Sequence, residues 1–283
     1  MARTRKLFSA LTRRGPHKVL RGDLAFAGLP GVVYTPESGS NLAGIAFGHD
    51  WLTGVDRYLG TLEHLASWGI VAAAPDTERG LAPSAPRLAY DLGSTLDIIA
   101  GVRLGPGRIR VHPTKLGVVG HGFGGSAAVL TAAERSGKPG FAPKAVAAVF
   151  PAITRPPAEE VAARLAMPGL VLGAPGDPAN LRSNALELSR AWEGAVLRVV
   201  GKAKPGGFAE GRRLSRIFGL PGPNRKTQKT VRALLTGFLL YELTGAKTYR
   251  EFADPEAVLP GTEKLEEPLE PAKPEEKIVA LLK

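Results

Sequence analysis

The chain has 283 residues, 44% of them hydrophobic and 22% charged, enough apolar material for one large core or two small ones. It has no cysteine, which excludes disulfides, thiolate metal sites and cysteine nucleophiles in one step. The net charge is +11, and no apolar run approaches the roughly 20 residues that a membrane-spanning helix requires.

Residues 1–21 hold seven Lys/Arg and no acid, and their longest apolar stretch is Leu7-Phe8. A secretory signal needs an apolar segment of about 7–15 residues, so we read the chain as cytoplasmic and 1–21 as a basic arm. Residues 43–47 (AGIAF) predict a strand that ends at Gly48-His49-Asp50-Trp51. A helix follows at 58–67, with Leu59, Leu62 and Leu65 three apart, and a strand at 69–74 is closed by Pro75-Asp76. Residues 87–102 predict a helix that places Leu88, Leu92, Leu96 and Ile99 on one face. The next strand, 116–119, runs through a glycine turn at 120–125 into a helix at 126–135.

The alternation continues with strands at 145–150, 170–173 and 196–200, and helices at 159–165, 180–192 and 226–243. Strands that are apolar on both faces and separated by helices predict an α/β fold, a doubly wound and mostly parallel sheet with helices on both faces. We place one domain at 22–252. The remaining 253–283 reads as an acidic, proline-punctuated tail, with a short helix at 275–283.

The most specific segment is the strand-turn-helix at 116–126, whose turn has the form G-x-X-x-G: Gly120, His121, Gly122, Phe123, Gly124. In a nucleophile elbow, small flanking residues let strand and helix pack closely while the central residue is held in strained backbone geometry. The segment resembles the elbow of the α/β-hydrolases, and within them the dienelactone-hydrolase-like and small-esterase branch. The resemblance covers most of 22–252. It implies that the nucleophile position is held by Gly122, the oxyanion turn by 48–51, and the acid by Asp177. It also implies a histidine in or near residues 202–208, where there is none.

The five histidines are His17, His49, His64, His112 and His121, and none follows the elbow. A triad in the family's order of nucleophile, acid and histidine cannot be built. Losing such a unit costs on the order of 10⁶ in rate, so the expectation is a catalytically inactive relative that acts by binding. Its binding residues would be His49, Asp50, Trp51, His121 and Phe123, and its ligand small and apolar or lactone-like. No cofactor or metal is expected. The glycines at 120–125 lack the spacing of a dinucleotide fingerprint, and the acid about 20 residues on is missing from a strand end.

Two alternatives stay open. One is an ester or lactone hydrolase in which His121, His49, Asp50 or Asp177 activates water. The other is a peripheral membrane-associated scaffold, with residues 1–21 on anionic lipid. The two basic segments, 1–21 and 198–232, suit an anionic lipid or acidic protein partner, and no nucleic-acid motif accompanies them.

Overall fold

The computed structural model describes residues 2–138, 140–175, 182–211 and 222–263. It shows a nine-stranded, mostly parallel sheet with helices on both faces. The strands are β1 (Val19–Asp23), β2 (Gly31–Pro36), β3 (Gly39–Gly48), β4 (Ile70–Pro75), β5 (Ile109–His121), β6 (Ala145–Val149), β7 (Gly169–Gly173), β8 (Ala195–Val200) and β9 (Thr262–Glu263). Their order across the sheet is β1-β2-β4-β3-β5-β6-β7-β8-β9. The run from β4 through β3 to β8 is parallel, while β1, β2 and β9 pair antiparallel at the two edges.

The helices are α1 (Ala2–Leu11), α2 (Leu59–Ser67), α3 (Ala85–Gly101), α4 (Phe123–Arg135), α5 (Ala158–Ala162), α6 (Ala185–Ala191) and α7 (Arg225–Thr244). Successive side chains of a strand point to opposite faces, so the central strands feed two cores at once. Ile45, Phe47, Val119, Ala147 and Val149 pack with α1, α2 and α7. Ala46, Val71, Val118, Val146 and Val171 pack with α3, α4, α5 and α6. Burial on both faces is why these strands read as continuous apolar runs rather than alternating ones.

The helices begin and end where local chemistry dictates. Ser84 Oγ accepts from the Arg87 amide at the start of α3, and Asn224 Oδ1 accepts from the Lys226 and Thr227 amides at the start of α7. Gly245, at φ 72°, closes α7 in the left-handed conformation. Among the described residues no helix is long and apolar enough to cross a membrane.

Packing on the sheet extends past residues 22 and 252. In the segment read as a basic arm, α1 buries Phe8 and Leu11 in the core shared with α7, and β1 extends the sheet. Beyond 252, Leu259 is buried and β9 pairs with β8. Three strands escaped the hydrophobic pattern for a physical reason. β1 (VLRGD) is an exposed edge with two charges, β2 (GVVYTP) has an apolar run of only Val32-Val33-Tyr34, and β9 has two residues. β3 and β5 also start earlier than their apolar runs, at Gly39 and Ile109. The stretch 264–283, including the expected terminal helix, lies outside the described residues.

Candidate functional site

β3 and β5 are neighbours, and both end at the same edge of the sheet. Ligands of doubly wound sheets bind beyond the carboxyl ends of the strands. Four of the five non-glycine residues at positive φ among the described residues lie there, and the fifth, Asn41, lies near the start of β3. Leu52, Glu78, Phe150 and Lys202, with φ of 52°, 54°, 46° and 59°, follow β3, β4, β6 and β8. Non-glycine residues in this region cost about 1–3 kcal/mol each and cluster at functional sites.

The turn between β5 and α4 has the geometry its glycines imply. A methyl group at Gly120 would overlap the Gly124 carbonyl, and one at Gly124 would overlap Gly48 at the end of β3. Gly122 itself sits at φ 53° and ψ −118°, with its amide donating to the Val149 carbonyl at 2.9 Å. An L side chain in that conformation is strained, and glycine is not.

The space above Gly122 belongs to Asp50. A Cβ built on Gly122 would fall on Asp50 Oδ1. That oxygen accepts from the Trp51 amide at 2.8 Å and from the Phe123 amide, the first of α4, at 3.1 Å. The carboxylate therefore joins two loops that are 73 residues apart, and its negative charge lies at the positive end of a helix. These amides lie after β3 and immediately after the residue at the elbow position. In the α/β-hydrolases that the segment resembles, an oxyanion hole has its donors at these places. The bond to Trp51 is local, and the bond to Phe123 is not.

His121 is fully buried and ringed by Tyr58, Phe150 and Phe208, with ring centroids at 5.7, 6.0 and 5.2 Å. Its Nε2 lies 3.0 Å from the Pro205 carbonyl, which can only accept, so Nε2 carries the proton. Its Nδ1 accepts from the Tyr58 hydroxyl at 2.8 Å, and that oxygen accepts from the Asp50 amide at 3.2 Å. A directed chain thus runs from Asp50 through Tyr58 and His121 to Pro205. The ring reaches the 202–208 loop, where the resemblance implied a histidine, and meets the Pro205 carbonyl and the Phe208 ring there.

His49 is also fully buried, its ring nitrogens 3.0 Å from the Asp50 carbonyl and 2.7 Å from the Thr77 carbonyl. It ties the loop after β3 to the loop after β4. Trp51 is 46% exposed and donates its indole N–H to the Leu81 carbonyl at 3.1 Å, so it forms an apolar rim with the exposed Leu52 and Leu81. Phe123 is almost buried. His49, Asp50, Trp51, His121 and Phe123 all lie at the ends of β3 and β5 or just after them. Asp177 lies outside the described residues. Ser126 donates its hydroxyl to the Ala152 carbonyl, facing away from this rim.

Sequence reasoning missed Tyr58, which it used only to start a helix. Its partners lie 8 and 63 residues away, and no local pattern announces such a bond. Among the described residues no group of three or more His, Asp or Glu converges as a metal site would. No protein-family model matches the chain, and no curated protein matches it.

Proposed function

We propose that this chain is an α/β-hydrolase-fold protein, of the dienelactone-hydrolase-like kind, that has lost hydrolysis and works by binding. The observation that carries the reading is the exchange at one point in space. A glycine stands at the elbow, and a carboxylate from the neighbouring loop fills the room above it. Electrostatic stabilisation of acyl transfer needs donors aimed at a position where negative charge develops during the reaction. Here a permanent negative charge already takes the donors, so an ester carbonyl finds neither a nucleophile beneath it nor a hole beside it. The two losses support each other, because Asp50 fits only while residue 122 has no side chain.

The strand order and the antiparallel second strand are compatible with the α/β-hydrolase plan. The burial of His121 and His49 supports a positioning role for both, since each ring is tied to backbone or to Tyr58. What remains for a ligand is the rim of Trp51, Leu52 and Leu81, which suits a small apolar or lactone-like molecule.

The test is hydrolysis of short-chain esters and lactones by the purified chain, beside Asp50→Asn and Asp177→Ala. No saturable turnover is expected in any of the three. Turnover that vanishes with either substitution would overturn the reading in favour of a working, rearranged site. Binding without turnover is checked by the melting shift that the same lactones produce, which a Trp51→Ala variant should lose.

A further inference from the structure

The opposite end of the sheet carries a different kind of surface. β4 joins β3 only from Ala43, and β6 joins β5 only from Gly117. Residues 39–42 of β3 and 109–115 of β5 therefore stand beyond their neighbours as a two-stranded ribbon. They are paired through Gly39 with Ile109 and Leu42 with Val111. A tight hairpin, closed by a bridge between Leu104 and Ile109, extends the ribbon.

This projection is basic. Arg103, Arg108 and Arg110 are exposed on it, Lys115 holds the Asn41 carbonyl at 3.3 Å, and Lys18 lies alongside through its carbonyl bond to Glu37. Among the described residues none of these five cations forms an ion pair. Several of the cations elsewhere are taken up locally. Arg14 pairs with Glu63, Arg135 with Asp97 and Arg232 with Glu210, while Arg198 is buried on three carbonyls.

We propose that this ribbon is a docking surface for an anionic phospholipid bilayer. Charge complementarity selects an anionic partner, and the surroundings select among anionic partners. Single-stranded nucleic acid is held by bases stacked on aromatic side chains, and the exposed aromatic rings Phe26, Trp51 and Tyr90 all lie away from the ribbon. Protein interfaces are anchored by buried apolar or aromatic residues, and among the described residues no exposed large hydrophobic side chain lies on the ribbon. A headgroup plane needs neither. It rewards cations carried on a projection that can reach it, whatever their detailed geometry. Of its cations only Lys18 belongs to a segment that the charge count singled out, 1–21.

Co-sedimentation of the full chain tests this, with vesicles of phosphatidylcholine alone and of phosphatidylcholine mixed with phosphatidylglycerol. Binding is expected to the mixed vesicles only, and to be lost at high salt. Each cation near the surface is worth about fivefold in affinity, so Arg103→Gln, Arg108→Gln and Arg110→Gln together should weaken it on the order of 100-fold. A parallel variant, Arg3→Gln with Arg5→Gln and Lys6→Gln, removes the same charge from the exposed side of α1 and should leave most of the binding. No binding to the mixed vesicles, a larger loss in the α1 variant, or capture by poly-glutamate in preference to vesicles would each overturn the proposal. None of these outcomes bears on ester hydrolysis, so the proposal and the reading of the Asp50 site fail separately.

Discussion

The two ends of this sheet are built from the same strands and behave as opposites. At the carboxyl end, backbones approach so closely that glycines are required, and the polar groups around Asp50 and His121 are bonded to one another. At the amino end, β3 and β5 overhang their neighbours, Gly107 has open space around it, and Arg103, Arg108 and Arg110 form no ion pair among the described residues. Tight packing makes the first end a place where a single atom changes what is possible. The looser end is where charge is presented and where substitution should be tolerated.

The largest effect expected from that contrast is at Gly120. A methyl group there meets the backbone of Gly124 and Gly125, and neither can retreat without dismantling the start of α4. Gly120→Ala should cost about 4 kcal/mol or prevent folding. Gly107, at the tip of the basic hairpin, has nothing within 4 Å of its missing Cβ and a φ of 81°. Gly107→Ala should cost only the left-handed conformation, about 1 kcal/mol. Urea unfolding of both variants measures the contrast, and equal costs would erase it.

Next comes the exchange at the elbow. Gly122→Ser combines strain at positive φ with overlap on the Asp50 carboxylate, and should destabilise by about 3 kcal/mol. Adding Asp50→Gly removes the overlap and leaves the strain, so the double variant should recover more than half of the loss. A double-mutant cycle reads this as a coupling of about 1–3 kcal/mol. Purely additive effects would mean that the two positions do not share the space. A Gly122→Ser protein that melts above the parent would show that glycine there relieves nothing.

A smaller effect belongs to α2. His64 is buried in α2, and burial, helped by the charge of Arg232, lowers its pKa from 6.5 to about 4, against a hydrogen bond that the ring donates to the Leu11 backbone. Its Nε2 has no partner among the described residues. Between these two values the unfolded chain binds a proton that the folded chain refuses. Its contribution is intact above pH 6.5, falls as pH drops, and levels off below about 4. Going from pH 7 to 5 should remove roughly 2 kcal/mol, which appears as a drop in Tm. His64→Gln should flatten that part of the pH profile, and an unchanged profile would assign it to other groups.

The contrast between the ends also explains what was legible in the sequence. Strands buried on both faces announce themselves as apolar runs, so 43–47, 69–74, 145–150 and 170–173 were found within a residue or two, apart from the early start of β3. The edges were lost, because a strand such as β1 that is half exposed and carries Arg21 and Asp23 has no such run. The elbow was readable because close backbone approach leaves a signature of glycines at fixed spacing. Asp50 was readable as a residue near the site but not as its occupant, since the amide it reaches lies 73 positions away. The basic ribbon was missed although four of its cations lie within 103–115, because only the overhang of β3 and β5 shows that they stand on one projection.

The smallest effect is the one on which the amino-end surface depends. Replacing Arg103, Arg108 and Arg110 by Gln removes three exposed charges that form no ion pair among the described residues, and no packed atom is lost with them. Exposed substitutions of this kind stay within about 0.5 kcal/mol, and relief of mutual repulsion pushes the change toward stabilisation. An unchanged or slightly raised Tm at low salt, converging on the parent at high salt, is therefore expected. A drop of several degrees would mean that these side chains hold the overhang in place, and the two ends would then differ less than their packing implies.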